Sequence, residues 1–335
     1  MKWKIRAGGL LAATFAILLT GCAAVQQSPS ANMPLAAETE TPQSSQSASA
    51  AHIQADQNAA VQGQIGNALP SSIFTKLLFA DEFDSGSLDR SKWNVIGPVF
   101  WVNNEQQAYV DSPETVRFHP AGAVPGAENG VLVLQPNFRK NYATPSKRTA
   151  DFISGRIDTQ DKFQFTHGRA AARIRMPDAV GVWPAFWLLG NGKWPDTGEI
   201  DIMEYVGEKD WTGVAVHGPG YSGETPLVNK YFFADGTDVT DWHTYAVEWT
   251  DRAMLFKVDE RTLYRVTRPM VENYGAWVFD TPKFVILNFA LGGAYPFKTN
   301  GIKVPYNGLP AETVERIKRG EVAMEIDWVR VHAAE

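Results

Sequence analysis

From Leu77 to the C-terminus the chain breaks into short runs in which apolar and polar residues alternate, divided by Gly, Pro, Asn and Asp. Val131-Leu-Val-Leu134, Ala170 to Met176, His243 to Thr250, Phe284 to Leu291 and Val322 to Val331 are the plainest. Within His243 to Thr250, Tyr245, Val247 and Trp249 fall on one face and Thr244, Ala246 and Glu248 on the other. A period of two belongs to the β-strand, whose successive side chains point to opposite faces. Helical periodicity is convincing only at Ala311 to Arg319, so strands do not alternate with helices and a βαβ architecture is excluded. Residues 73–335 are expected to form one all-β domain, a sandwich or barrel, without a repeat of propeller or solenoid length.

The N-terminal part is of another kind. Met1 to Gly21 joins a basic start (Lys2, Lys4, Arg6) to an apolar run that is short for a membrane span, the pattern of a signal peptide. It closes on Leu19-Thr20-Gly21-Cys22, which resembles the lipobox of bacterial lipoproteins. That resemblance implies removal of residues 1–21 and a lipid on Cys22, the only cysteine, with Ala23 pointing to the outer membrane. Residues 22–72 are rich in Ala, Ser, Gln, Thr and Pro and carry no Lys or Arg. Such a stretch buries too little apolar area to offset its ordering entropy and reads as a disordered tether. With Cys22 lipidated no thiol remains for a disulfide, so the exported domain must rest on a large core. The formal charge of −6, more negative once the basic start is removed, argues against nucleic acid and for a neutral partner.

Chemistry concentrates in Gly198-Glu-Ile-Asp-Ile-Met-Glu-Tyr205. Acidic residues are unfavourable in strand interiors and repel when they share a face. In a regular strand Glu199 and Asp201 share a face and Glu204 points to the other. A one-residue bulge around Ile202-Met203 would return Glu204 to the same side. Two carboxyl groups about 5–5.5 Å apart would then suit glycoside hydrolysis with retention, one as nucleophile and one as acid/base. A solvated acidic strand or a cation site is the competing reading of the spacing alone. Trp183, Trp187, Trp194 and Trp211 bracket the segment, and indole faces stack on the C–H faces of pyranose rings, although some of the four belong to the core.

With these motifs stand Asp81-Glu-Phe83, Asn104-Glu-Gln-Gln-Ala-Tyr109, Ser154-Gly-Arg-Ile157, Gly181-Val-Trp-Pro-Ala-Phe-Trp187, Val216-His217, His243-Thr-Tyr245, Asn288 to Gly293 and Asp327-Trp-Val-Arg-Val331. In this order they resemble family 16 glycoside hydrolases, specifically the laminarinase-like branch. The resemblance implies a β-jelly-roll sandwich of two antiparallel sheets with a concave cleft for endo-acting cleavage. Glu199 is then the nucleophile, Glu204 the acid/base, and Asp201 the group that tunes both. It implies substrate contacts at Trp183, Trp187, Trp194, Asn104, Glu105, Arg156, His217 and Asn288. His243, Tyr245 and Trp249 go to the scaffold. No cofactor is implied for catalysis. Glu82 and Asp327 match positions that supply a structural calcium on the convex side. The Trp-Pro-Ala-Phe-Trp segment and the neutral surroundings favour β-1,3-glucan, with mixed-linkage glucan, agar- or carrageenan-type galactans and transglycosylation as alternatives. Non-catalytic glucan-binding relatives typically lack the two glutamates. The expected protein is a monomer whose partners are a polysaccharide and, through its lipid, a membrane. Tyr295 to Gly320 departs from the family pattern and would shape one end of the cleft.

Overall fold

The structure, a computed structural model, describes residues 73–335; the expected signal peptide, Cys22 and the tether lie outside the described residues. One large sheet runs β16 (Arg261–Thr267), β15 (Ala253–Val258), β14 (His243–Trp249), β9 (Gly168–Arg175), β18 (Met324–Ala333), β5 (Val131–Leu134) and β4 (Val116–His119), with β1 (Lys76–Asp81) also paired to β18. The other runs β13 (Val228–Phe232), β12 (Trp211–His217), β11 (Glu199–Glu204), β10 (Val182–Gly190), β17 (Lys283–Leu291), β8 (Arg156–Asp158) and β2 (Asn94–Val95). Pairing within both is antiparallel. A side sheet joins β3 (Gln107–Tyr109), β7 (Thr149–Ser154) and β6 (Asn137–Ala143), with β3 and β7 parallel.

One apolar cluster fills the space between the large sheets. Ile174, Tyr245, Val247 and Val329 enter it from one side and Phe186, Ile200, Val216 and Leu287 from the other. This is the expected two-sheet sandwich, and the alternating runs became strands because each supplied one such face. One detail differs. Ala246 and Glu248, assigned by period to an outward polar face, are buried as well. Ala246 lies against Ala171 and Trp328, and Glu248 pairs with Lys257 on the neighbouring strand, so the outer face of this sheet is itself covered.

Three helices lie among the described residues: α1 (Arg268–Glu272), α2 (Ala294–Asn300) and α3 (Ala311–Lys318). The helix expected from periodicity is α3, with Val314 and Ile317 buried in the core. Gly292 and Gly293 introduce α2. A Cβ on Gly292 would stand 2.2 Å from the Asn307 carbonyl oxygen, and Gly293 has φ of 89°. That permits close approach of the loop at Asn103, whose carbonyl accepts from the Ala294 N–H at 2.8 Å.

Candidate active site

The strand β11 carries the expected bulge. Against β10, Trp187 pairs with Asp201 and Phe186 with Met203, leaving Ile202 without a partner. Against β12, the register jumps from Asp201–Ala215 to Glu204–Gly213. Ile202 and Met203 both enter the core, 1% and 0% exposed. Two successive inward side chains reset the alternation, and Glu199, Asp201 and Glu204 share the opposite, concave face.

Neighbours on that face follow from the register. Trp183, Ala185 and Trp187 lie on β10, Asn288 and Ile286 on β17, Arg156 and Asp158 on β8, and His217 on β12 opposite Glu199. The His217 Nε2 is 3.2 Å from Asp201 Oδ2 and 3.8 Å from Glu199 Oε1. The Trp183 indole N–H donates to Glu204 Oε1 at 3.0 Å. These donor atoms of Glu199, Asp201 and His217 lie within 4.8 Å of one another. We assign them no metal, because Glu199 must stay open to a sugar carbon if it acts as the geometry permits.

Electrostatics follow from this crowding. Burial raises all three carboxyls, Asp201 and Glu204 to about 8 and Glu199 well above its ordinary value. Three adjacent carboxylates resist ionising together. Asp201 adds to the rise of both glutamates. Among the groups acting the other way, His217 and Arg156 favour the Glu199 anion, and the Trp183 N–H and His217 favour that of Glu204. Asp201 and Glu204 therefore retain protons near neutrality, and Glu199, raised as well, is the carboxyl whose anion both His217 and Arg156 favour.

The remaining residues divide by role. Trp194 is 45% exposed on the loop before β11, its ring 6.4 Å from that of His217. Trp183 and Trp187 are half-buried on the cleft floor. Trp187 donates its N–H to Asn288 Oδ1 at 2.7 Å, and the Asn288 amide donates to the Tyr109 hydroxyl at 3.2 Å. That hydroxyl donates to Glu105 Oε2 at 3.2 Å, which also accepts from Gln107 at 2.7 Å. Asn288 and Glu105 are buried members of a network beneath the cleft. Burial raises the Glu105 carboxyl despite its donors. Asn104 is exposed at the rim of the same loop. Trp211, by contrast, is a buried residue whose N–H goes to Glu208.

Arg156 is no surface charge paired with Asp158. It is buried, with its guanidinium 4.2 Å from the Phe100 ring centroid and 4.9 Å from that of Trp187, and its Nε lacks a partner among the described residues. Asp158 instead accepts from Asn94 at 2.9 Å. Four aromatic residues at the site were not singled out by sequence: Phe100, Trp101, Tyr109 and Tyr295. Trp101, 45% exposed, donates to the Glu105 carbonyl at 2.8 Å and lies 5.2 Å from Arg148. Its place two residues before Asn103-Asn104-Glu105 was the available signal.

Glu82 and Asp327 do come together, bridged by Asn129, which donates to Glu82 at 3.0 Å and to Asp327 at 3.5 Å. Both, however, face donors that a cation would oppose. Arg330 holds both Glu82 oxygens at 2.8 and 2.9 Å. Arg173 and the N–H groups of Glu128 and Asn129 engage Asp327. A hard dication asks for six to eight oxygens. This arrangement fits an ion-pair network and does not fit calcium held by these two side chains.

A sandwich whose concave face gathers buried carboxylates beneath indole rings is the apparatus of a glycoside hydrolase. The chain belongs to glycosyl hydrolases family 16, whose profile matches residues 130–308. It is 32% identical over 270 residues to the beta-glucanase of Rhodothermus marinus, covering 77% of this chain and 85% of that one. Among solved structures it resembles the laminarinase catalytic domain from Thermotoga maritima, with a TM-score of 0.64 and 31% identity over 78% of this chain and 98% of the other. The endo-beta-1,3-glucanase from Pyrococcus furiosus matches with a TM-score of 0.65 and 30% identity, over 77% of this chain and 94% of that one.

Proposed function

We propose that the protein is an endo-acting, retaining β-glucanase that cleaves β-1,3-glucosidic bonds of laminarin-type glucans. The observation that carries this reading is the bulge at Ile202, which puts two glutamates and Asp201 on one face of one strand. In the first step a Glu199 carboxylate oxygen attacks the anomeric carbon. The bond to the leaving sugar breaks, and Glu204 gives its proton to the departing oxygen. In the second, ionised Glu204 takes a proton from water, whose oxygen displaces Glu199 and restores both groups. Asp201, held protonated between them, keeps a second negative charge from crowding Glu199. His217 and Arg156 favour the Glu199 anion.

Substrate class follows from the lining. Indole faces at Trp183, Trp187 and Trp194 line the cleft, and Arg156 is buried against Phe100 and Trp187, an arrangement that suits a neutral glycan better than a sulfated one. The relatives named above, a beta-glucanase, a laminarinase and an endo-beta-1,3-glucanase, support the linkage. The same reading puts the enzyme at a membrane, with Cys22 lipidated and residues 22–72 as its tether. Proton NMR of the first product released from laminarin tests the mechanism and should give the retained anomer. An inverted product would refute the pairing of the two glutamates, and faster cleavage of carrageenan than of laminarin would refute the substrate.

A further inference from the structure

Helix α2, in the stretch that departs from the family pattern, reaches into the site. Its first turn carries Tyr295, whose ring meets that of Trp183 edge-on, centroids 5.6 Å apart and planes at 89°. The Tyr295 hydroxyl lies over Gly213, the residue paired with Glu204, and a Cβ at Gly213 would stand 3.5 Å from it. Trp183 in turn donates to Glu204. The helix is fixed on several sides. The Ala294 N–H donates to the Asn103 carbonyl, Thr299 Oγ1 to the Tyr295 carbonyl at 3.1 Å, and Asn300 to the Gly308 carbonyl at 2.9 Å. Lys298 pairs with Glu224.

We propose that Tyr295 is a positioning residue for the acid/base: it wedges Trp183 into the one orientation from which the indole N–H holds Glu204. The inference rests on the glycanase reading above. An indole on a strand facing an open cleft has free rotamers on its solvent side, and only a neighbour that fills that side fixes where its single donor points. An edge-to-face ring contact does so without competing for the N–H. The donor matters because an N–H aimed at a carboxylate favours its ionised form, opposing burial and Asp201. The titratable groups facing Glu204 are Glu199 and Asp201 on its own strand, His217 on β12 and the Tyr295 hydroxyl on α2, and Glu208 and Glu224 bear on Tyr295 from beyond. With Trp183 held, Glu204 loses its proton early enough to serve as base in the second step and keeps it long enough to serve as acid in the first.

The test is the basic limb of kcat/KM against pH, on the glucan that the wild type cleaves, where the limb reports ionisation of the general acid. Tyr295→Ala should move the limb upward by about half a pH unit, a roughly threefold change in the ionisation constant. Tyr295→Phe keeps the ring edge and should leave the limb where it is. Trp183→Phe, which removes the donor, should move it further in the same direction. Tyr295→Ala added to Trp183→Phe should then move it no more, since the first residue acts through the second. Lys298→Ala, which disturbs the same helix away from Trp183, should not shift it. An unmoved limb in Tyr295→Ala, or a further shift on top of Trp183→Phe, overturns the proposal. A wild type that cleaves no glucan would overturn the glycanase reading instead, and the two failures are distinguishable.

Discussion

Deletion of Ile202 discriminates sharply between a bulge that matters for itself and one that matters for where it aims Glu204. The residue is the unpaired one in the β10 register, and the side chains on either side of it, Asp201 and Met203, already face opposite ways. Without it the strand reads Glu199, Ile200, Asp201, Met203, Glu204, and strict alternation keeps all three carboxylates on the concave face. What is lost is one side chain that is 1% exposed. Removing a buried aliphatic group costs about 2–5 kcal/mol through lost transfer energy and the cavity left behind. At about 3 kcal/mol the melting temperature of a domain this size falls by roughly 6–12 °C. Activity should survive in part, because a displacement on the order of 1 Å costs about a hundredfold in rate rather than all of it. An alanine inserted after Ile202 also restores strict alternation with Glu204 on the concave face, but lengthens the strand between the two glutamates by one residue, about 3.3 Å, so activity should fall much further than in the deletion. Reducing-sugar release from laminarin, measured beside circular dichroism melts, checks both. A folded deletion variant as inactive as Glu204→Ala would refute the argument that facing, not the bulge itself, is what catalysis needs.

Removing the nucleophile by Glu199→Ala should abolish hydrolysis, with added azide yielding a glycosyl azide of inverted configuration. Glu204→Ala on an aryl glycoside should accumulate the intermediate and yield the retained azide; NMR of the two products decides. Burial raises Glu204 to about 8, so between its unfolded value and that pH the folded state binds more protons and stability falls as pH rises. Glu204→Gln should therefore melt above the wild type at pH 8 by an amount that shrinks to nothing near pH 4; a constant gap would contradict the sign. Cys22→Ala should lose lipid labelling and leave the membrane fraction, and unchanged membrane association would remove the anchor.

What the sequence made legible was local. Strands such as Val131–Leu134 and His243–Trp249 repeat every second residue, and the core-facing set follows from that period alone. The bulge was equally readable, since three carboxylates among Ile200, Ile202 and Met203 admit one arrangement that puts charge outside and carbon inside. Burial of Arg156 was not readable. A strand of three residues has little period to read, and what covers it, Phe100 and Trp187, comes from a loop and from a strand with which β8 does not pair. The same holds for Asn288 and Glu105. Each has the chemistry of a sugar contact, yet Tyr109, 179 positions from Asn288, turns them into partners of one another beneath the floor.

The distinction between placement and protonation carries this further. Six consecutive residues and two neighbouring strands determine which way Glu199 and Glu204 point. Their charge states answer to groups on several elements: Asp201 beside them, His217 on β12, Trp183 on β10 and Arg156 on β8. A relative could therefore keep the acidic segment intact and still work at a different pH, because the segment supplies the reacting atoms while α2 and the neighbouring strands decide when each holds its proton. Tyr295 sits where those two levels meet, on a helix that the acidic segment itself does not specify.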